Sequence, residues 1–381
     1  MIMNEYFLTC PRGLEEVTAK DVNQYIKDEP RVKKGGISFI GDLSDMYKVN
    51  LYSRTGMYLL KKLLFFKANN FDFFYSKIYN YEWEKIIDSS KNFSIRMKSK
   101  SSFFENSGYT TLKAKDAIVD RIRQKTGQRP SIDKINSDIK IFIIIKEDSI
   151  KIFIDSSGRP LFMRGYRSKI HKASLNECLA AGLVLLSNWN KVDPFYDLMC
   201  GSGTIPIEAA MIAFNIPPGI KRKRFAFQLW PDYSQKIWQK TIEDAKSKIN
   251  LDLDVDINGS DYIKKNINLG IESAKKIGLH DKIKFTREDL ENFKSQNNKG
   301  VIILNPPYGL RLGDEKNLQF LYQKIGDIFK NECSGFDAYI FTHNKVLAKS
   351  VGLRTKRKFI LKNGQLDCRL LYYPMQDGKF S

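Results

Sequence analysis

The spacing of apolar positions in residues 1–164 predicts two small α+β units in succession. The apolar runs at residues 6–10, 37–40 and 58–66 and the alternating run at residues 93–98 are typical of strands, and residues 139–145 and 150–154 are expected to form a strand pair. Residues 14–26 and 112–125 have the spacing of amphipathic helices, and Asp42 and Asp45 are expected to cap a further helix. The first unit is expected to cover residues 1–65 and the second residues 66–164, since the pattern of strands and helices starts afresh at that point.

From residue 165 onward the pattern changes to a regular alternation of strands and helices. Apolar runs predict strands at residues 192–198, 255–260, 283–286, 301–304 and 337–342. Such alternation is typical of a doubly wound parallel sheet of the Rossmann-like kind. Two further strands flank Asn363-Gly364, which is a strong hairpin signal, so the sheet is expected to end in an antiparallel pair. Residues 165–381 are therefore predicted to form a third, α/β domain.

The charge of the chain indicates a polyanionic partner. The 381 residues carry a formal net charge of +20, and the excess of Lys and Arg is present both before and after residue 165. A basic balance across whole domains favours nucleic acid or an anionic membrane surface. A lysine-rich surface that is simply solvated is the alternative, and charge alone does not decide between them.

The cysteines and the chain start indicate a cytoplasmic protein without a metal. The five cysteines have no paired spacing and there are only three histidines, so no zinc site is expected. The first residues have no long apolar core of a secretory signal. The longest apolar run, residues 141–145, is far too short to span a bilayer.

The most informative stretch is the tetrapeptide Asn305-Pro306-Pro307-Tyr308, which follows a buried apolar run. Prolines cannot continue a strand ladder, so the chain must leave the sheet there. In open α/β sheets, ligands bind beyond the carboxyl ends of the strands. An amide, proline-flanked carbonyls and an aromatic ring at that edge suit a flat group that carries an amine.

A glycine turn follows the first strand of the third domain and opens a helix. The segment from Asp197 to Thr204 contains Cys200, Gly201 and Gly203. It fits neither the dinucleotide fingerprint, whose third glycine is absent, nor the phosphate-binding loop. A carboxylate beside the turn would repel pyrophosphate but suits a cationic amino-acid group.

Two further acids are expected at the tips of the next strands. Asp261 ends the second strand, where an acid can accept the hydroxyls of a ribose, and Asp289 follows the third, where it could accept a hydrogen from an adenine amine. Any one of them could be a helix cap. An amino-acid end, a ribose and an adenine together indicate S-adenosylmethionine.

These motifs resemble those of class I S-adenosylmethionine-dependent methyltransferases with an N-P-P-Y motif. Within that class the chain is similar to the THUMP-domain RNA methyltransferases, nearest to the bacterial guanine-N2 methyltransferases of 23S ribosomal RNA. The resemblance is carried by residues 197–210 and 305–311, with support from residues 164–167, 225–230 and 363–366.

The resemblance implies a ferredoxin-like domain, a THUMP RNA-binding domain and a catalytic domain, in that order. It also implies that Asn305 and a proline carbonyl hold the target amine while Tyr308 stacks on the base. Family members often carry a second acid two residues after the one at strand two, and here that position is Ile263. The family's usual entry to the catalytic domain is replaced by Ser174-Leu-Asn-Glu177.

The segment 217–230 combines four consecutive cations, Lys221 to Arg224, with aromatic residues. The cations are expected to contact RNA, and Phe225, Phe227 and Trp230 to pack against the protein.

Two other functions remain open at this point. The tetrapeptide recognises an amine rather than a base, so an adenine-N6 methyltransferase of RNA or DNA is one alternative. A catalytically inactive RNA-binding assembly factor is another. The sequence identifies neither the nucleotide nor the oligomeric state.

Overall fold

The computed structural model describes residues 2–88, 90–167, 175–308 and 315–375, and these form two β-sheets. Ser174 and Arg311, which belong to two of the sequence motifs, lie outside the described residues.

The first sheet is built from residues 4–155. Its elements are β1 (Asn4–Thr9), α1 (Glu15–Asn23), β2 (Arg31–Lys33), β3 (Gly36–Gly41), α2 (Leu43–Tyr52), β4 (Tyr58–Lys67), α3 (Phe71–Tyr79), β5 (Asn92–Lys100), α4 (Ser107–Thr126), β6 (Ser131–Ile132), β7 (Ile139–Lys146) and β8 (Ser149–Asp155). All the strands and helices expected from the sequence in this part are present, and β7 and β8 form the expected pair, which is antiparallel. The short β2 and β6 and the helix α3 were not foreseen.

The two N-terminal units share this sheet, whose strand order is β2-β3-β1-β4-β8-β7-β5-β6. The long strand β4 runs through the boundary proposed at residue 65, pairing with β1 on one side and with β8 on the other. Side chains on one face, including Tyr6, Ile141 and Ile154, form a single core with Met46 of α2 and Ile118 of α4. The helices therefore cover one face of a continuous sheet.

The second sheet is built from residues 177–374. Its elements are α5 (Glu177–Leu186), β9 (Phe195–Asp197), α6 (Thr204–Ala213), α7 (Gln235–Lys246), β10 (Ile257–Asp261), α8 (Lys264–Ile277), β11 (Lys284–Arg287), β12 (Gly300–Leu304), α9 (Glu315–Glu332), β13 (Phe336–Thr342), α10 (Lys345–Ser350), β14 (Arg357–Asn363) and β15 (Leu366–Pro374).

The strand order of this sheet is β11-β10-β9-β12-β13-β15-β14, with β9 to β13 parallel and β15 antiparallel to its neighbours. On β12, Val301 and Ile303 belong to the core on one face, and Ile302 and Leu304 to the core on the other. A strand buried on both faces explains its unbroken apolar run. The doubly wound sheet with a terminal hairpin, expected from the sequence, is confirmed.

The segment after α6 joins the second sheet to the first core. Phe227 is fully buried and stacks on Tyr47 of α2 with ring centroids 4.5 Å apart, while Phe225 and Trp230 belong to the same core. The expectation that these rings pack against the protein is confirmed. The expectation of RNA contact is wrong for Arg222, because its guanidinium donates to the carbonyls of residues 157, 159, 160 and 163.

A buried arginine ties the two halves together. Arg164 is 1% exposed, donates to the carbonyl of Leu161 at 2.8 Å and to that of Arg54, and lies 3.5 Å from the carboxylate of Glu208. The hydroxyl of Tyr166 donates to the same carboxylate at 2.9 Å. Since Glu208 lies on α6, this network fixes α6 relative to the N-terminal units.

Among the described residues, no helix is long and apolar enough to cross a membrane.

Replacing Phe227 by Ala tests the connection between the two halves. We expect the free energy of unfolding to fall by about 3–5 kcal/mol, because a fully buried aromatic ring leaves a cavity in the shared core. Phe73→Ala, which removes a ring that is 42% exposed on α3, serves as the control and should change stability far less. Equal losses for both variants in urea denaturation would contradict this packing.

Candidate functional site

The polar residues predicted from the sequence meet at one edge of the second sheet. The central strand β9 lies between β10 and β12, and all three run parallel. The chain continues from β9 to β10 and β11 on one side and returns to β12 and β13 on the other, so the strand order reverses between β9 and β12. Such a reversal opens a ligand crevice at the carboxyl edge. Asp197 is the last residue of β9 and Asn305 directly follows β12, the two strands that flank this crevice.

The two glycines of the turn differ in the space that surrounds them. Gly201 has a φ of 54°, and a side chain built on it would meet nothing within 4 Å, so the backbone borders open space there. Gly203 has a φ of 75°, and a Cβ on it would lie 2.7 Å from the ring of Phe285. Gly203 is therefore required for packing, whereas Gly201 leaves room for a ligand.

Asp261 holds the glycine turn against the end of β10. One of its carboxylate oxygens accepts the N–H of Gly201 at 3.0 Å. The other accepts the N–H of Ile263 at 2.8 Å and the side-chain amide of Asn266 at 3.1 Å. At the position of the missing second acid, Ile263 thus supports Asp261 through its backbone. Asn266 was missed in the sequence; its position in the first turn of α8, five residues after Asp261, is the signal that could have indicated it.

Asp197 is a buried acid whose loss of hydration is offset by few hydrogen bonds from the described residues. It is 1% exposed, and its carboxylate accepts only the N–H of Met199, at 3.2 Å, among the hydrogen bonds of the described residues. Burial, reinforced by the nearby Asp261, raises the pKa of Asp197 to about 8. A carboxyl held in this way gains strongly from a cationic partner.

Cys200 lies in the turn as a neutral thiol. It is buried, its N–H donates to the carbonyl of Ser260 at 2.9 Å, and burial together with Asp197 and Asp261 raises its pKa well above the ordinary value. A nucleophilic cysteine needs the opposite shift. Cys200 therefore shapes the turn through its backbone rather than reacting.

Thr204 connects the turn to the linker between the two halves. It is the first residue of α6, and its hydroxyl contacts the guanidinium of Arg167. The same guanidinium donates to the carbonyl of Leu175 at 2.6 Å and lies 3.5 Å from the carboxylate of Glu177. Arg167 thus fixes the start of α6 relative to the start of α5.

Asp289 lies in the loop that contacts Asp261, but its own side chain caps a short helical turn. The N–H of Glu288 donates to the carbonyl of Asp261 at 3.2 Å, which brings the loop after β11 to the tip of β10. The Asp289 side chain is exposed and caps a short 3₁₀ turn by accepting the N–H of Glu291 at 3.1 Å. The capping role that the sequence left open is present; a contact with adenine stays a prediction.

The side-chain oxygen of Asn305 has no partner in the part of the chain that the structure describes. Its Oδ1 is buried and accepts no hydrogen bond among the described residues. Leaving a buried polar atom unpaired is costly, and such atoms in native structures call for an explanation. Pro306 beside it is buried, whereas Pro307 is exposed. An incoming N–H donor would satisfy the Asn305 oxygen.

Tyr308 is held beside Asn305 by the terminal hairpin. Its hydroxyl accepts the side-chain amide of Asn363 at 3.3 Å, and its ring centroid lies 6.4 Å from that of His343 at 66°. The His343 ring is in turn 2.8 Å from the carbonyl of Asp367. His343, directly after β13, is a second neighbour of this ring that sequence reasoning missed.

Comparison with known proteins agrees with this geometry. The family models for an RlmL ferredoxin-like domain, a THUMP domain and an RMKL-like methyltransferase domain match residues 5–57, 68–155 and 164–372. A putative RNA methyltransferase of Synechocystis is 35% identical, covering 97% of this chain and 96% of its own.

Two further similarities extend this comparison. The ribosomal RNA large subunit methyltransferase K/L of Pseudomonas entomophila is 33% identical over 99% of this chain, which spans only 53% of that relative's length. A putative methyltransferase crystallised with SAH has a TM-score of 0.91 and 30% identity, with all of both chains covered.

The sheet, the glycine turn and these matches define a methyltransferase that uses S-adenosylmethionine. More particularly, the chain belongs to the RMKL-like methyltransferase family, with ferredoxin-like and THUMP domains before the catalytic domain. The family, the fold class and the cofactor expected from the sequence are thereby confirmed.

The raised pKa of Asp197 predicts an unusual pH dependence of stability. A carboxyl whose pKa rises from about 4 in the unfolded chain to about 8 in the fold binds its proton more tightly when folded. The free energy of unfolding therefore falls as the pH rises between these values. Asp197→Asn keeps a neutral group of similar size and should remove this loss.

We expect the cofactor-free Asp197→Asn variant to have a higher Tm than the unaltered protein at pH 8, with a difference that vanishes near pH 4. Thermal unfolding across this pH range measures it. Glu291→Gln, which changes an exposed acid on the same edge, is the control for loss of one charge. A variant no more stable than the unaltered protein at pH 8 would show that Asp197 is not destabilising.

Proposed function

We propose that the protein transfers a methyl group from S-adenosylmethionine to the exocyclic N2 amine of a guanosine in 23S ribosomal RNA. The observation that carries the proposal is the buried Oδ1 of Asn305, which has no partner among the described residues and lies at the crevice beside Asp197. The choice of guanine and of 23S RNA is supported by the resemblance of the motifs and by the names of the K/L relatives, of which the chain spans about half.

The residues of the glycine turn fit the cofactor. Asp197 would bind its cationic amino group, the open backbone at Gly201 would border it, and Asp261, already oriented by three donors, would accept the ribose hydroxyls. Cys200 and Thr204 complete the turn, and Asp289 is assigned to the adenine. Bound there, S-adenosylmethionine supplies an electrophilic methyl group.

The chemistry required of the protein is modest. The lone pair of an exocyclic amine is delocalised into the base, which makes the nitrogen a poor nucleophile. When the Asn305 oxygen and the carbonyl of Pro306 or Pro307 accept its two hydrogens, the nitrogen becomes pyramidal and its lone pair is available. Tyr308, held by Asn363, stacks on the face of the base and fixes its orientation. The rate gain then comes mainly from positioning.

The target base must leave any RNA helix to reach this crevice, at a cost of roughly a few kcal/mol. Binding by the N-terminal domains and by the exposed cations Lys221, Lys223 and Arg224 offsets this cost. The proposal also includes a cytoplasmic location and domain limits at residues 1–65, 66–164 and 165–381.

An adenine-N6 methyltransferase is the second candidate. Guanine and adenine each carry an exocyclic amine, and Asn305 and the prolines would accept the hydrogens of either one. The inactive assembly factor is a weaker candidate, since it would leave Asp197, Asp261, Asn305 and Tyr308 without a role.

Asn305→Ala should lower kcat by about two orders of magnitude or more, because the amine loses an acceptor needed only during transfer. Cofactor affinity, measured by calorimetry, should stay within about twofold, since the glycine turn is untouched. Asn298→Ala, which removes an exposed amide just before β12, is the matched control. Turnover of Asn305→Ala equal to that of the control would reject the mechanism.

The substrate is tested by incubating undermodified ribosomal RNA with the protein and labelled S-adenosylmethionine, followed by nucleoside analysis. We expect label in N2-methylguanosine. Label in N6-methyladenosine would establish the second candidate, and no incorporation into any RNA despite cofactor binding would favour the assembly factor.

A further inference from the structure

The face of the first sheet that carries no helix presents a continuous row of side chains. Arg96 on β5 lies directly opposite Phe142 on β7, Phe142 opposite Phe153 on β8, and Phe153 opposite Lys62 on β4. Residues opposite one another point to the same face of a sheet. The neighbouring positions Ile141, Ile143 and Ile145 of β7 point to the other face and are buried under the helices.

Aromatic rings extend this row in two directions. The ring centroid of Tyr58 lies 5.9 Å from that of Phe142, and the ring of Phe7 lies 6.4 Å from that of Phe153. Phe7, Tyr58 and Phe142 are half-buried, so their rings keep accessible surface. Four strands therefore contribute one ring each to a platform made of Phe7, Tyr58, Phe142 and Phe153.

Cations surround this aromatic platform. The guanidinium of Arg96 lies 5.9 Å from the ring of Phe142, and Lys98 and Lys100 continue along the same strand as exposed residues. Of the nearby acids, Glu5 is ion-paired with Lys62 and Asp155 is buried. The exposed charge of the platform is therefore positive.

The platform leads towards the catalytic half. Lys140 lies two residues before Phe142 on the same face of β7 and lines a cleft of about 550 Å³. The exposed Lys221, Lys223 and Arg224 line the same cleft, as does Arg167, whose guanidinium contacts Thr204 in the cofactor turn. A polyanion lying on the platform can thus continue along cations to the edge of the catalytic sheet.

Half-exposed rings interleaved with cations suit one kind of occupant. Unpaired bases stack on aromatic rings irrespective of sequence, while Lys and Arg contact the phosphates. A duplex hides its base faces and would leave the rings uncovered. An acidic protein would meet the cations but has no need of the three accessible rings of Phe7, Tyr58 and Phe142, which pack around the buried Phe153.

We propose that this platform binds an unpaired RNA segment by base stacking and passes it through the basic cleft towards Asn305. The proposal rests on the proposed function in so far as the substrate is RNA, and it adds which face binds it and in which form.

The test measures binding of a labelled unpaired oligoribonucleotide and of a duplex containing the same strand. Phe142→Ala should weaken binding of the unpaired strand on the order of tenfold and that of the duplex far less. Phe142→Tyr, which keeps a ring, should restore binding. Equal binding by all three proteins would overturn the proposal.

A charge-matched pair provides a second measurement that does not depend on a core residue. Lys98→Glu, on the platform, should weaken binding of the unpaired strand, whereas Lys125→Glu, exposed on α4 at the helix-covered face, should not. Equal effects of the two reversals would show that only overall charge matters and would overturn the proposal.

The same variants separate this proposal from the proposed function. The Phe142→Ala variant is expected to raise KM for RNA while kcat and cofactor affinity stay unchanged. If methyl transfer proceeds with an unchanged KM, the platform is excluded and the proposed function stands. If the unaltered protein transfers no methyl group but its RNA binding depends on Phe142, the platform stands and the proposed function fails.

Discussion

The buried guanidinium of Arg164 is the constraint that the arrangement of the two halves depends on. It satisfies backbone carbonyls of the N-terminal half and faces Glu208 on α6, the helix that begins at the glycine turn. A buried charge without these partners would be strongly destabilising. The position of the cofactor turn and the position of the N-terminal sheet are therefore coupled through one side chain.

Because of this coupling, the N-terminal sheet is held in a fixed position relative to the catalytic half. Strand β4 joins the ferredoxin-like and THUMP units into one surface, and the aromatic segment around Phe227 attaches that surface to the catalytic half. A substrate that binds the N-terminal domains, as we propose, would thus be presented to the crevice at a fixed distance. Flexibly linked domains would have to lose orientational freedom on binding.

Much of the fold and most of the site could be predicted from the sequence because the signals are local. The alternating runs, the apolar strand ended by prolines at Pro306 and the capping of α2 by Asp42 each follow from nearby residues; Asp42 and Asp45 form the reciprocal cap. The hydrogen bonds of Arg222 to four carbonyls and the pairing of β4 with both β1 and β8 depend on residues that are far apart in the sequence. The spacing of residues along the chain therefore cannot predict these contacts.

The sequence by itself determined the doubly wound catalytic domain, its family and the residues Asp197, Asp261 and Asn305 at the strand ends, because strand length, proline and glycine act locally on the backbone. Only the tertiary structure decided which acceptor is left unpaired, how far burial shifts the pKa of Asp197, and which face of the N-terminal sheet stays uncovered. Burial and pairing are properties of the assembled neighbours, and those neighbours come from separate parts of the chain.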